Sequence, residues 1–234
     1  ISFSTSNLIS NIDFEKRMGT FTSLAGGSRV DFTENRYISF INEFSWNMDN
    51  NDIFLGARGS KGNKFISIHK RQDSLYFYAP LARFDAENNL IEAEEVKDIL
   101  TADAKVFLKD GRITIREDAA MDPLDSVRIE LKDSLVTHTI YDARITIEGA
   151  KKYSGLGSYD YINALGDKYK LFLAKIAADE KSRTTAQGSI GEEAKFQFDS
   201  YFAYKGDFTM TAGQKFFDFD GGARMIHDDP YGPR

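Results

Sequence analysis

The sequence predicts an all-β protein, built as a β-solenoid of stacked β-layers or, alternatively, as a β-sandwich or jelly roll. Apolar and polar residues alternate with period two in many short runs, a pattern typical of strands with one buried and one open face. Turn signals end each run, and only 4 Pro occur in 234 residues, which suits paired strands because Pro cannot donate to a ladder. The clearest runs are Ser74–Ala79, Ala104–Ile115, Ser126–Leu131, Ala143–Ala150 and Gly206–Phe219.

Three segments are expected along the chain. Residues 1–36 are rich in Ser and Thr and predict an N-terminal edge or cap segment. Residues 37–225 carry the strand series and predict one continuous β-rich domain. Residues 226–234 are expected to be a C-terminal tail or a link to a longer chain, and the start at Ile1 rather than Met predicts a piece of a larger protein.

Turn chemistry divides the strand series, since Asn, Asp and Gly tolerate positive φ. Asp110-Gly111, between KVFLK and RITIR, is the clearest two-residue hairpin signal. Further turns are predicted at Asp49–Asp52, Gly59–Asn63, Asn88-Asn89, Asp133-Ser134 and Lys205–Asp207.

Two runs fit a short helix as well as a strand. Ile91–Leu100 and Leu171–Lys181 are each long enough for two or three helical turns, but neither has a convincing cap at both ends. Both assignments stay open at the level of the sequence.

A loose recurrence favours stacked layers over a sandwich. Asp-Ala pairs occur beside strand-like runs at irregular spacing, as expected when one supersecondary unit repeats and its loops vary in length. The pairs are Asp85-Ala86, Asp103-Ala104, Asp118-Ala119 and Asp142-Ala143.

Composition excludes several classes of function. The net charge of −6 and the scattered Lys and Arg argue against a nucleic-acid partner, which would require a basic stripe to neutralise phosphates. Cys is absent, so disulfides, thiolate metal sites and Cys nucleophiles are excluded. No apolar run approaches the ~20 residues of a membrane-spanning helix. Hydrophobic residues at 41% and aromatic residues at 13% are enough for a substantial core.

The most distinctive local motif is YSGLGSYDY, residues 153–161. Tyr153, Tyr159 and Tyr161 beside flexible glycines are candidate binding residues for a sugar or a protein. The alternative is a tight turn at Gly155–Gly157 that leads into a strand whose tyrosines pack on one face. The motif is not a phosphate loop, because Ser158 rather than Lys follows Gly157.

No metal site, cofactor or catalytic residue is predicted. Oxygen ligands cluster near the C-terminus, but their spacing matches no known cation loop, and a solvated strand end explains them better. The three histidines are far apart, and no nucleophile elbow supports a catalytic triad. A carboxylate pair for glycoside hydrolysis remains an open alternative, because such a pair assembles in space. The clustered ligands are Asp218, Asp220, His227, Asp228 and Asp229.

Several stretches resemble known envelope proteins. LARFDAENNLIEAEEV (81–96) followed by ILTADAKVFLKDGRITI (99–115) is similar in rhythm to the repeats of lipopolysaccharide-transport bridge proteins. YSGLGSYDYI (153–162) and Phe196–Ala223 resemble segments of long uncharacterised β-rich envelope proteins of Bacteroidota. The resemblance implies an extracytoplasmic, non-catalytic β-solenoid or stacked jelly roll within a larger protein.

The expected function is therefore a structural or interaction module in a bacterial envelope or cell-surface assembly. Its expected partners are other envelope or surface proteins, bound through open strand edges and aromatic faces. A carbohydrate-binding or polysaccharide-degrading β domain is the alternative, with a glycan as ligand.

Overall fold

The computed structural model describes residues 2–24, 27–58, 60–132 and 136–226. These residues form 21 strands and three single-turn 3-10 helices, and they contain no α-helix. All named strands pair antiparallel, in one sheet of fourteen strands (sheet A) and one of seven (sheet B). The all-β prediction is therefore confirmed.

The strands in the first half of the chain are short, and those in the second half are longer. The first seven are β1 Phe3–Thr5, β2 Leu8–Asp13, β3 Met18–Ser23, β4 Ser28–Phe32, β5 Tyr37–Ile41, β6 Glu43–Asn47 and β7 Asp52–Gly56. The next seven are β8 Asn63–Ser67, β9 Tyr76–Ala79, β10 Leu81–Asp85, β11 Leu90–Glu94, β12 Asp98–Thr101, β13 Ala104–Phe107 and β14 Ile113–Ile115. The last seven are β15 Leu124–Lys132, β16 Thr137–Gly149, β17 Lys152–Ile162, β18 Lys168–Ala178, β19 Thr184–Ile190, β20 Phe202–Thr211 and β21 Asp218–Met225. The 3-10 helices are Lys70–Gln72, Glu117–Ala119 and Glu192–Ala194.

Sheet A has the order β1-β4-β5-β8-β9-β12-β13-β15-β16-β17-β18-β19-β20-β21, and sheet B has the order β14-β11-β10-β7-β6-β3-β2. From β2 to β13 the chain makes one hairpin in sheet B and the next in sheet A, in strict alternation. Two of the crossings take a single residue, Asn42 between β5 and β6 and Pro80 between β9 and β10. Pro suits such a crossing because it has no N–H to offer either ladder.

Four of the hairpins use four-residue loops whose last residue has positive φ. These residues are Arg17, Arg36, Asn51 and Asn89, with φ between 49° and 54°. Asn tolerates this conformation well, whereas Arg adopts it only because the loop geometry requires it. The turns predicted from Asn51 and Asn89 are confirmed, and those that end at Arg17 and Arg36 carry no such signal.

The predicted two-residue hairpin at Asp110-Gly111 is wrong. These residues link β13 in sheet A to β14 in sheet B, and the two strands do not pair. Gly111 has φ 67°, and its carbonyl accepts the N–H of Val96. Two-residue hairpin turns occur instead at Ala102-Asp103, between β12 and β13, and at Ala150-Lys151, between β16 and β17. Asp-Gly marks a position that needs positive φ, and a crossing between sheets needs it as much as a hairpin does.

Both runs left open between helix and strand form strands. The first run is divided between β11 and β12 by Glu95, whose φ is 58°. The second lies mostly within β18, which is eleven residues long. Pairing on both edges decides these assignments, because tertiary context overrides weak local propensity.

Phenylalanine rings fill the space where the two sheets meet. Phe3 in sheet A lies 5.5 Å from Phe44 and 5.9 Å from Phe84, both in sheet B. Phe32 in sheet A lies 5.3 Å from Phe84, ring centroid to ring centroid. Phe32 and Phe84 are fully buried. Such edge-to-face and stacked pairs add to the free energy of burial.

Sheet A continues for seven strands after β14, the last strand of sheet B. Strands β15 to β18 are long, and register shifts interrupt the ladders that join them. Rings from two connecting segments, 191–201 and 212–217, pack against rings on the strands of this extension, and together they form the C-terminal aromatic cluster. Its members are Tyr159, Tyr161, Tyr169, Phe196, Phe198, Tyr204, Phe208, Phe217 and Phe219.

Hydrogen bonds tie successive turns together at one end of sheet A. The backbone oxygen of Gln72 accepts the N–H of Ala150, and the oxygen of Ala150 accepts the N–H of Ala102. The Gln72 side chain is buried, accepts the Tyr37 hydroxyl at 3.0 Å and donates to the Ala119 oxygen at 2.7 Å. Residues distant in sequence therefore share one polar network.

The segments and Asp-Ala pairs singled out in the sequence occupy several different parts of the fold. Strands β1 and β2, from residues 1–36, are edge strands of sheets A and B. The boundary at residue 36 falls in the turn between the paired strands β4 and β5.

Residues 227–234 of the predicted tail, and Asp133-Ser134, lie outside the described residues. The four Asp-Ala pairs lie at the end of β10, at the start of β13, in a 3-10 helix and in the interior of β16, so they do not mark equivalent positions.

Candidate interaction surfaces

Tyr153 is not part of an exposed binding platform. Only 1% of its surface is exposed, and its hydroxyl lies 2.6 Å from the Thr184 hydroxyl. Burial raises the pKa of Tyr153 strongly, because the phenolate would lose its hydration. A ligand reaches this side chain only if the sheet opens.

Tyr159 and Tyr161 are half-buried in the C-terminal aromatic cluster. The Tyr159 ring lies 5.1 Å from Phe217, and the Tyr161 ring lies 5.3 Å from Phe196. Burial raises the pKa of both hydroxyls. Their packing on one face matches the alternative interpretation of the motif, and a binding role for them stays a prediction.

His138 has a structural setting. It is buried, and its two ring nitrogens lie 3.1 Å from the Tyr159 hydroxyl and 2.8 Å from the Gln214 carbonyl oxygen. A carbonyl oxygen only accepts, so Nε2 carries a proton and donates to Gln214. His138 thereby fastens the segment between β20 and β21 to the sheet.

Among the residues that the structure describes, the acidic residues near the C-terminus do not form a cation site. Asp218 and Asp220 lie on β21, whereas His227, Asp228 and Asp229 lie outside the described residues. Within the part of the chain that the structure describes, no three His, Cys, Asp or Glu residues group as metal ligands would.

The outward face of sheet A carries an exposed apolar patch that the sequence interpretation missed. We call it the tyrosine face, after its two tyrosines on β9, of which Tyr76 is 36% and Tyr78 is 50% exposed. Phe40 on β5 and Leu100 on β12 are 48% and 49% exposed. The face spans four neighbouring strands, about 14 Å at the usual strand separation. Its members are Ile38, Phe40, Lys64, Ile66, Tyr76, Tyr78 and Leu100.

The geometry of the tyrosine face is defined by two ring contacts. The Tyr76 and Tyr78 rings are 6.0 Å apart and nearly perpendicular, at 86°. The Lys64 ammonium lies 4.1 Å from the centroid of the Tyr76 ring, a cation–π contact. Because their planes are nearly perpendicular, the two rings do not form one flat surface.

Ion pairs border the tyrosine face on both sides. Arg29 and Asp31 pair at 2.6 Å on β4, and Lys105 pairs with Asp98 at 3.3 Å across β12 and β13. An apolar centre with a charged rim is the usual anatomy of a protein–protein contact surface. Contiguous exposed apolar patches on soluble proteins commonly mark such surfaces.

Strand β21 forms a second exposed surface. It is an edge of sheet A, eight residues long, and seven of its residues are exposed. The other edge strands, β1, β2 and β14, are three, six and three residues long. An open edge presents unpaired backbone N–H and C=O groups to a further strand.

An open cleft of about 600 Å³ lies beside β21. Phe196, Ala203 and Ala223 contribute apolar lining, and Lys205 and Arg224 contribute positive charge. Lys205, and more weakly Arg224, lower the pKa of Glu192, which also lines the cleft.

Comparisons with known proteins do not assign the chain to a family: no protein-family model, curated protein or solved structure is detectably similar to it. Among the described residues, no helix has both the length and the apolar character needed to cross a membrane.

A simple signal could have revealed the tyrosine face. In SLYFYA, period two places Tyr76 and Tyr78 on the side of the strand opposite Phe77. Phe77 is 1% exposed, so the tyrosines must face outward. The neighbours Phe40 and Leu100 could not be recognised in this way, because only strand order brings them alongside.

Proposed function

We propose that this chain is a non-catalytic interaction module of a bacterial envelope or cell-surface assembly, located outside the cytoplasm. The observation that carries the proposal is the tyrosine face, with its apolar centre between two ion-paired borders. Its partner is another protein of the assembly, which covers the apolar centre and meets the charged rim. The resemblance to envelope proteins supports the location.

The architecture of the module is proposed to be a stack of β-layers. Support comes from the alternation of hairpins between sheets B and A from β2 to β13. Each new hairpin pairs with the previous hairpin of its own sheet, so the chain adds layers in one direction. A solenoid grows in the same way, by nearest-neighbour contacts.

The ring geometry favours a protein partner over a carbohydrate. A sugar that stacks on both rings needs them to form one flat surface, whereas Tyr76 and Tyr78 are nearly perpendicular. The apolar neighbours Ile38, Ile66 and Leu100 offer a sugar few hydrogen-bond partners. Protein side chains fill such an uneven apolar surface readily.

A binding comparison tests the proposal. The double variant Y76T/Y78T removes both rings and keeps strand propensity. F172T is the matched control, because Phe172 is 55% exposed on another part of sheet A. Proteins that the native chain enriches from a bacterial envelope fraction should be lost with Y76T/Y78T and kept with F172T. Equal enrichment by all three proteins would refute the role of the tyrosine face.

Two further assays address the carbohydrate alternative. Glycan-array binding that Y76T/Y78T abolishes would replace the protein partner by a carbohydrate. Release of reducing sugar, abolished by a single Asp or Glu substitution, would replace the non-catalytic proposal by a glycosidase. We expect the native chain to be inactive in both assays.

A further inference from the structure

Strand β21 has a charge pattern that matters for its open edge. Side chains alternate between the two faces of a strand, so Asp218, Asp220, Gly222 and Arg224 share one face. Phe219 lies on the other face and packs 5.1 Å from the Tyr204 ring. The exposed face is thus acidic in its first half and basic in its second.

Such a pattern is complementary to itself in the antiparallel direction. Two identical antiparallel strands related by a two-fold axis place one residue opposite its own copy. When this residue is Gly222, Asp220 of each copy lies opposite Arg224 of the other. A parallel, in-register pair would instead place Asp220 against Asp220 and Arg224 against Arg224, and like charges directly opposite are destabilising.

The centre of this arrangement is free of bulky side chains. Gly222 would oppose Gly222, and Gly221 would oppose Ala223, so nothing large separates the two backbones. A Cβ atom built on Gly222 meets no atom within 4 Å, which shows that the space above this residue is open. The exposed Met225, 65% accessible, would lie opposite Phe219 of the other copy.

We propose that the chain self-associates through β21, with Gly222 on the two-fold axis and Asp220 opposite Arg224 of the second copy. The contact joins the two copies of sheet A into one continuous antiparallel sheet. Backbone hydrogen bonds provide its affinity, and the two Asp–Arg pairs fix direction and register. The contact does not use the tyrosine face, so it does not depend on the proposed partner.

Charge-reversed variants test the pairing directly. Sedimentation velocity over a range of concentrations should show reversible dimerisation of the native chain. In R224D, the Asp introduced at position 224 lies opposite Asp220 of the other copy. In D220R, the Arg introduced at position 220 lies opposite Arg224 of the other copy. Each variant alone should dimerise about tenfold more weakly or not at all, since like charges now face one another. Circular dichroism verifies that both variants remain folded.

The decisive samples restore complementarity. An equimolar mixture of R224D and D220R should form heterodimers, because each Asp again faces an Arg. The double variant D220R/R224D should dimerise with itself as the native chain does. K109D, a charge reversal in the link between β13 and β14, is the control and should behave like the native chain.

Two results would overturn the proposal. One is a native chain that stays monomeric at every concentration tested. The other is a native dimer that R224D and D220R leave unchanged, which would place the contact elsewhere. Because Y76T/Y78T keeps the β21 edge intact, it should still dimerise, so failure of this contact and failure of the proposed function are distinguishable.

Discussion

The carboxylate of Asp103 accepts two hydrogen bonds from Thr184, one from the backbone N–H at 2.9 Å and one from the hydroxyl. Since the Thr184 proton goes to Asp103, the Tyr153 hydroxyl donates to the Thr184 oxygen. Asp103 and Thr184 are 81 positions apart, and the bonds join the β12–β13 turn to the start of β19. They tie the two-sheet region to the extension of sheet A.

Loss of the Asp103 carboxylate should destabilise the fold. D103A leaves the Thr184 N–H and the Tyr153–Thr184 pair without an acceptor, at a cost of about 2 kcal/mol in the free energy of unfolding. D103N should cost less, because its amide oxygen can still accept one bond. Urea denaturation measures the effect. D110A, at an exposed carboxylate, should stay within about 0.5 kcal/mol of the native chain, and an equal loss in D103A and D110A would contradict the assigned role.

Gln72 is expected to be a sensitive position. Q72A leaves the Tyr37 hydroxyl without its acceptor and the Ala119 oxygen without its donor, in a region where Tyr37 is fully buried. We expect a loss of about 2–3 kcal/mol, measured by urea denaturation. Y37F removes the hydroxyl but keeps the ring and the Gln72 bond to Ala119, and it should cost less, about 1 kcal/mol. A Q72A variant as stable as the native chain would show that water replaces the network.

Alkaline pH should unfold the protein because buried tyrosines resist ionisation. Burial raises the pKa of Tyr37 and Tyr153 well above the ordinary value of 10.0, and burial together with Asp160 raises that of Tyr141 to about 12. The folded values exceed the unfolded ones. Their contribution to stability is therefore fully present below pH 10 and is lost as the pH rises through the folded values.

Tyrosinate absorbance and circular dichroism, recorded together during a pH titration, measure this effect. The last tyrosines should ionise only as β-sheet structure disappears. Y153F should show a flatter decline of stability above pH 10, because one late-ionising group is gone. Complete ionisation in the folded state would be evidence against the buried hydroxyls.

Neighbouring glycines on β21 should respond very differently to alanine. A Cβ on Gly221 would lie 2.4 Å from the Lys205 oxygen and 2.7 Å from the Tyr204 hydroxyl, whereas Gly222 has open space. We expect G221A to lose about 1–3 kcal/mol and G222A to stay within about 0.5 kcal/mol. Thermal and urea denaturation of both variants measure the difference, and equal stabilities would argue against the close approach of β20 and β21.

A fragment that ends at Gly149 should not fold. The cut separates β16 from β17, which pair along most of their length, and removes the bonds of Ala150 to Gln72 and Ala102. Inward residues such as Ile145 and Ile147 would lose their neighbours. Circular dichroism and limited proteolysis of residues 1–149 measure this outcome. A protease-resistant fragment with cooperative melting would indicate two domains instead of one.

Local pattern predicted much of the secondary structure because alternation and turn chemistry act over a few residues. The strand Tyr76–Ala79, within the predicted run Ser74–Ala79, and the turns at Asn51 and Asn89 follow from residue types alone. Asp110-Gly111 shows the limit of prediction from local residue types. The pair indicates a positive φ, but it does not indicate whether the next strand returns to the same sheet. Tyr153 shows the same limit, since the motif does not indicate what covers its ring.

The sequence by itself determined that the chain is all-β, that its strands have one buried face and where several turns lie. Only the tertiary structure decided which strands became neighbours. That order brings Phe40, Tyr78 and Leu100, from three separate strands, onto one exposed face, and it leaves β21 as an open edge. The physical reason is the sequence separation of the residues involved. Alternation depends on neighbours along the chain, whereas the composition of a surface depends on backbone hydrogen bonds between strands distant in sequence.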